Sequence, residues 1–352
     1  MTGSILHYFV CGHTARGFVN LGKDAFTGIK KLFVIQSESP AIGSELIREI
    51  GEEMAGKGWD VEFIHSPFNG DAVDGVVLPG QSIGIVNSLI AGEEEVPGCE
   101  REIIQVDEGP ALSTLLKGRI DEQLKQAYSK FSHALSIHDE WEKFYISSMD
   151  FKKADELTLE LIGSLLGENR NNKKAIASHR YLGAATPRGS VDFVPELTES
   201  LPQRFFIKGR PGSGKSTLLK KLAKQAEARG FDTEIYHCGF DPESLDMVIV
   251  RELGFAIFDS TAPHEYFPER EGDSVIDMYG TVIAEGTDEK YESELKDVAA
   301  RYKEKVQEAT AHLKEAYKIY NLVLESGSPV RSGMRKTQEK LISRIYQSLP
   351  EY

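Results

Sequence analysis

Phe205-Phe206-Ile207-Lys208-Gly209-Arg210-Pro211-Gly212-Ser213-Gly214-Lys215-Ser216-Thr217 is the stretch on which the reading of this 352-residue chain turns. An apolar run enters a glycine-rich turn, and Leu218-Leu219-Lys220-Lys221-Leu222 leaves it with helical spacing. The pattern G-x-x-x-x-G-K-[ST] is filled by Gly209, Gly214, Lys215 and Ser216. Glycines let backbone N–H groups approach an anion with no Cβ in the way. The helix that follows aims its unpaired N–H groups and positive dipole end at the same point. Lys215 is expected to neutralise the β- and γ-phosphates of a nucleotide, and the Ser216 hydroxyl to hold the accompanying Mg²⁺. Arg210, Pro211, Gly212, Ser213 and Thr217 complete the expected nucleotide-binding set.

The bulk composition narrows the setting. Forty-one basic against 55 acidic residues give a net charge of −14, spread along the chain, which repels polyanions and argues against nucleic acid or an anionic membrane as the partner. Cys11, Cys99 and Cys238 form no C-x-x-C pair, so neither a disulfide framework nor a zinc site is expected. No basic segment followed by an apolar run opens the sequence, and no apolar stretch approaches membrane-spanning length; a cytoplasmic protein is expected.

A shift of 172 residues lays the first part of the chain over the second without a gap through about residue 93. His7 falls on His179, Thr14-Ala15-Arg16-Gly17 on Thr186-Pro187-Arg188-Gly189, His65 on His237 and Asp74 on Asp246. Each copy alternates short apolar runs with helices: Leu32 to Ile35, a helical pattern from Ser44 to Lys57, Val61 to Ile64 and Ile83 to Val86 in the first, and their counterparts in the second. This predicts an α/β fold of two tandem domains, residues 1–172 and 173–352, each a parallel sheet flanked by helices with right-handed crossovers. Each ends in a helix-rich tail. The stripes Leu124, Tyr128, Phe131, Leu135, His138, Trp141 and Val306, Ala309, Leu313, Ala316, Tyr320, Leu324 are expected to pack against a sheet or each other. Polar Gly167 to Lys174 marks the boundary, and the two repeats are expected to pack together within the molecule.

The duplication contains its own comparison. Where the second copy carries the glycine-rich loop, the first carries Gln36-Ser37-Glu38-Ser39-Pro40-Ala41-Ile42-Gly43-Ser44, so that Ser37, Ile42 and Gly43 stand opposite Gly209, Gly214 and Lys215. Glu38 adds a negative charge there. The run Phe255-Ala256-Ile257-Phe258 ends in Asp259, expected to hold Mg²⁺ through water, whereas Ile83-Gly84-Ile85-Val86 ends in Asn87. The first domain is thus read as degenerate, a scaffold or regulator. Thr-x-Arg-Gly occurs in both copies, so Arg188 either pairs with an acid or reaches a nucleotide, and its presence beside the lost loop favours the first. His237 lies at a strand end, where binding crevices form. Around it come Cys238, Asp241, Glu243 and Asp246, and after the third strand Thr261, His264, Glu265 and Arg270, a set in which an acceptor site or a catalytic base is expected without the sequence choosing among them.

Gly209 to Ser216 resembles the Walker A motif of P-loop NTPases, and Asp259 resembles the Walker B acid. The whole chain, with its tandem P-loop-like halves, resembles a poorly characterised bacterial family described as ATPases or nucleotide-kinase-like proteins. That resemblance implies two tandem P-loop NTPase-like domains, ATP or another NTP with Mg²⁺, catalytic roles for Lys215 and Asp259, and either hydrolysis or phosphotransfer to a small-molecule acceptor. Ser260 occupies the place where ABC and many AAA ATPases carry a water-orienting glutamate, so a base is sought elsewhere, as at Asp241 or Glu265. A nucleotide-gated switch that engages a protein partner with little turnover is the alternative.

Overall fold

The computed structural model describes residues 3–37, 39–106, 113–326 and 331–348. Glu38 and the side chain of Leu324 lie outside the described residues. The first repeat runs β1 (Ile5–Phe9), β2 (Cys11–Thr14), β3 (Gly17–Asn20), α1 (Gly22–Ala25), β4 (Lys31–Ser37), α2 (Pro40–Gly56), β5 (Val61–His65), β6 (Val73–Leu78), β7 (Ile83–Asn87), α3 (Ser88–Ala91), β8 (Glu100–Val106), α4 (Thr114–Ile146) and α5 (Phe151–Leu166). The second runs β9 (Ala177–Tyr181), β10 (Gly183–Thr186), β11 (Gly189–Asp192), α6 (Val194–Thr198), β12 (Gln203–Lys208), α7 (Lys215–Ala228), β13 (Thr233–His237), β14 (Leu245–Val250), β15 (Phe255–Asp259), β16 (Asp273–Asp277), α8 (Met278–Val282), α9 (Thr287–Lys290), α10 (Glu292–Ser326) and α11 (Arg331–Gln347).

Twelve of these strands form one continuous sheet in the order β16-β12-β15-β14-β13-β9-β1-β5-β6-β7-β4-β8. The repeats meet through their equivalent first strands, β1 and β9, which pair antiparallel with Phe9 against Tyr181. Antiparallel contact between equivalent elements is what an internal two-fold axis requires. The sheet is mixed, and this corrects the expectation of purely parallel sheets. β6 runs antiparallel to β5 and β7, and β14 to β13 and β15. The links into and out of β6 and β14 are shorter than the dozen or so residues a parallel crossover needs, so those strands must reverse.

Apolar packing ignores the repeat boundary. On one face α2 and α7 each cover their own half, but the opposite face is a single cluster running from Phe26, Leu32 and Val34 to Val194, Phe206 and Met247. The tails are exchanged between halves. Tyr145, Ile162 and Leu166 of the first repeat pack with Leu218 and Leu222 of α7, while Leu341 and Ile345 of α11 pack with Leu46 and Ile50 of α2. The two stripes predicted from spacing meet each other: Ala127 and Phe131 of α4 pack against Ala309 and Leu313 of α10. Ion pairs Lys130–Glu308 at 2.6 Å and Glu140–Arg301 at 2.7 Å fix the two helices as antiparallel. The loop after α5 lies where the boundary at residues 172 and 173 was placed, although the core continues across it.

At the seam the two-fold symmetry of side chains breaks, most sharply at one charged position. Tyr8 of β1 is matched by Arg180 of β9, which donates to Glu62 Oε2 at 2.8 Å and approaches Glu234 Oε2 at 3.5 Å, with its guanidinium 4.0 Å from the Tyr8 ring centre. Tyr8 also donates to Glu62, at 2.7 Å, and Arg251 pairs with Glu234. Buried Glu62 and partly buried Glu234 would otherwise face each other across the axis; Arg180 holds both.

Candidate functional site

The loop from Gly209 to Gly214 links β12 to α7 through two glycines with positive φ, Gly212 at 73° and Gly214 at 88°, a region that L side chains avoid. Ser213 is buried and donates to the Arg210 carbonyl at 2.8 Å, closing the loop on itself. α7 opens at Lys215, so its first-turn N–H groups, which no helix can pair internally, face the loop. Lys215 folds back over the loop: Nζ donates to Arg210 O at 3.0 Å and lies 3.5 Å from Asp259 Oδ2. Lys215 and Asp259 come together because β12 and β15 are adjacent and parallel, with Ile207 beside Asp259.

Other predicted residues divide. Ser216 Oγ accepts from Leu245 N at 3.0 Å, and Ser44 Oγ does the same from Val73 N at 2.8 Å. That shared bond explains why serine stands in both halves; it anchors the start of β14 and β6. Arg210 turns outward, donating to Asp288 Oδ2 at 2.8 Å and lying over the Tyr279 ring. Pro211 is half-buried, and Thr217 is exposed on α7. Arg188 pairs in bidentate fashion with Asp71 of the other half, at 2.9 Å for each bond, and Arg16 reciprocates with Asp241 and Glu243. The Thr-x-Arg-Gly segments are hairpin turns that clasp the halves together. His237 is likewise structural, with Nε2 2.8 Å from His179 Nδ1 and Nδ1 2.6 Å from Pro242 O; His65 and His7 repeat the arrangement. Burial is the main cause that lowers the His237 and His65 pKa values, the latter to about 4.

A second carboxylate belongs with Asp259. β14 and β15 pair with Met247 opposite Phe258, and the next register step sets Asp246 opposite Asp259. In the first half the same step sets Asp74 opposite Asn87, whose Nδ2 donates to Asp74 Oδ1 at 2.8 Å. Asp74 is pushed up to about 7 by burial, and its Oδ2 is enclosed with no partner. Asp246 is pushed up to about 6, by burial first and by the charge of Asp259 second, with Lys215 and His264 working in the opposite direction. One half therefore holds an amide against a carboxyl and the other two carboxyls beside a lysine. Repetition of Asp74 and Asp246 was visible in the sequence; that each lies opposite residue 87 or 259 depends on strand pairing.

The roof of the site comes from the other repeat. A Cβ on Gly212 would stand 2.7 Å from the backbone oxygen of Glu142 in α4, so the loop is built flush against that helix. Met149 approaches Gly214, and His138 lies within electrostatic reach of Lys215. Comparison with protein-family models, curated proteins and solved structures finds no match to this chain. Among the described residues no helix is long and apolar enough to cross a membrane.

Proposed function

We propose that the second half binds an Mg-nucleoside triphosphate, ATP being the first candidate, at the loop 209–214 and the first turn of α7. It passes the γ-phosphoryl group to water or to a small acceptor. This is the activity that resemblance to P-loop NTPases implies, and it would make the chain two tandem P-loop NTPase-like units of cytoplasmic type, with the first half a scaffold that supplies the roof. The observation that carries the reading is the coupled exchange between halves. On matching backbones, Lys215 and Asp259 in one half are Gly43 and Asn87 in the other, while the serine with a structural bond is kept in both. Charge is retained only where the glycine-rich loop is retained.

The donor set fits Mg²⁺. Asp246 and Asp259 crowd two hard anionic oxygen groups together at a cost in charge repulsion that a divalent cation removes, and Ser216 Oγ, bonded to Leu245 N, is a hydroxyl held one residue along β14 from Asp246. The metal would neutralise charge on the transferring phosphoryl group; Lys215, released from Arg210 O, would do so from the other side. The test follows γ-labelled ATP with Mg²⁺ in wild type and Lys215→Ala. Lys215-dependent label in an acceptor identifies a kinase, and label in free phosphate an ATPase. Equal ATP affinity in both proteins would sink the proposal. A second reading, a nucleotide-ordered switch, is favoured by the contact of α4 with Gly212, through which a ligand at the loop would act on the other repeat; intact bound ATP would support it.

A further inference from the structure

Asp192 closes β11 where Asn20 closes β3, and both side chains do the same local work. Asp192 Oδ1 accepts from Val194 N at 3.2 Å, and Asn20 Oδ1 from Gly22 N at 2.7 Å. The turn needs an oxygen acceptor, not a charge. In the second half the carboxylate carries two further bonds, from Tyr266 Oη at 2.5 Å and with His264 Nδ1 at 2.6 Å. The segment bearing His264 is pinned: Ser260 Oγ donates to Tyr266 O at 2.7 Å, and Lys208 Nζ donates to the carbonyls of Ser260 and Tyr266 at 2.7 and 2.8 Å. Gly183 makes room for the ring, since a Cβ there would lie 2.9 Å from His264 Cε1. The first half shows the converse, with Cys11 in place of Gly183 and Gly92 in place of His264.

With Nδ1 engaged by a carboxylate, the neutral ring is held in the tautomer whose Nε2 is the acceptor, and the ring's side-chain hydrogen bond is made through Nδ1. The segment is tied to Asp259: His264 N donates to Thr261 O at 3.0 Å, and Thr261 N and Oγ1 donate to Asp259 Oδ1 at 3.1 and 2.7 Å. Of the two acids named above as candidate bases, Asp241 pairs with Arg16 at 3.1 Å and Glu265 lies 3.5 Å from Lys208 Nζ. We propose that His264, oriented through Nδ1 by Asp192, is the proton acceptor of this site. The proposal rests on the Mg-nucleotide reading above. In the step, the attacking hydroxyl of water or of an acceptor gives its proton to His264 Nε2 as its oxygen bonds to the γ-phosphorus. The bond from that phosphorus to the β–γ bridging oxygen breaks, and the nucleoside diphosphate leaves with the electron pair. Asp192 is the positioning residue. Burial opposes the imidazolium, but Asp192, Asp246 and Asp259 outweigh it and raise the His264 pKa above its ordinary value, so the charge formed on taking up the proton is stabilised where it forms.

The experiment uses the full chain with Mg-ATP and compares wild type, His264→Gln, His264→Gly and Asp192→Asn. Both His264 variants are expected to lose about 100-fold or more in turnover, the range for a lost general base. Their Mg-ATP dissociation constants should stay within about threefold of wild type, and added imidazole should partly restore His264→Gly. Nitrogen NMR of the nucleotide-free protein at high pH should show the Nδ1-protonated tautomer of His264 in wild type and a mixed population in Asp192→Asn, which keeps the turn as Asn20 does. Unimpaired turnover in the His264 variants overturns the inference alone, as does affinity lost in step with rate or an unchanged tautomer in Asp192→Asn. Mg-ATP binding by wild type without turnover overturns it while leaving the nucleotide site standing; no binding by wild type overturns both.

Discussion

Asp259→Asn gives the second half the residue found at the matching place in the first, and its effect on stability can be worked out beforehand. Asn87 donates to Asp74 at 2.8 Å, and the matching register should let an amide at position 259 donate to Asp246. Asp246 rises from 3.8 to about 6. At about 1.4 kcal/mol per pKa unit, that shift disfavours the folded state by about 3 kcal/mol once the group is ionised. Burial causes the larger part, and the substitution also removes the partner of Lys215, so the expected gain is about 1 kcal/mol at pH 7.5. A carboxyl whose folded pKa exceeds its unfolded value supports folding at low pH and loses that support as pH rises through the folded pKa. At pH 5, below about 6, Asp246 is protonated in the native protein and the gain should disappear. Urea unfolding without Mg²⁺ at the two pH values measures this. Mg²⁺ should then stabilise wild type at pH 7.5 and not the variant. A loss of stability at pH 7.5, or the same change at both pH values, would refute the idea that Asp246 and Asp259 form a repelling pair.

Two further substitutions probe the joints of the molecule. Arg180→Ala leaves buried Glu62 without its cation, while Glu234 keeps Arg251, and should cost about 3–5 kcal/mol in urea unfolding; a cost below about 1 kcal/mol would show that the seam does not depend on that charge. Gly212→Ala places a methyl group 2.7 Å from Glu142 O at a positive φ, and should cost about 1–3 kcal/mol while speeding amide exchange over residues 138–146. Unchanged exchange there would mean that α4 is not held by the loop.

Much of this arrangement is legible in one sequence because the chain contains two versions of itself. Spacing located the loop, the helix after it and the strand ending in Asp259, since these obey local rules of turn chemistry and periodicity. The coupled loss of Lys215 and Asp259 at Gly43 and Asn87 marked which half carries charge. The same shift also sets Asn20 against Asp192 and Gly92 against His264, but nothing in the spacing says that those two positions touch. Their contact spans 72 residues and exists only because β10–β11 and the segment after β15 fold to the same edge of the site. Strand direction escaped for a related reason: an apolar run reads alike whichever way its neighbour points, and the short links around β6 and β14 decide the matter.

The sequence by itself determined the duplication, the glycine-rich loop and the absence of its Gly209, Gly214 and Lys215 counterparts in the first copy, because these are statements about residue identity at fixed separation. Only the tertiary structure decided that the copies share one twelve-stranded sheet, that Arg16 and Arg188 clasp opposite halves, and that α4 of the first repeat roofs the loop of the second. The physical reason is that burial of apolar surface is indifferent to which part of the chain supplies it. A helix tail covers whichever sheet face its connection can reach, and here that face belongs to the other half.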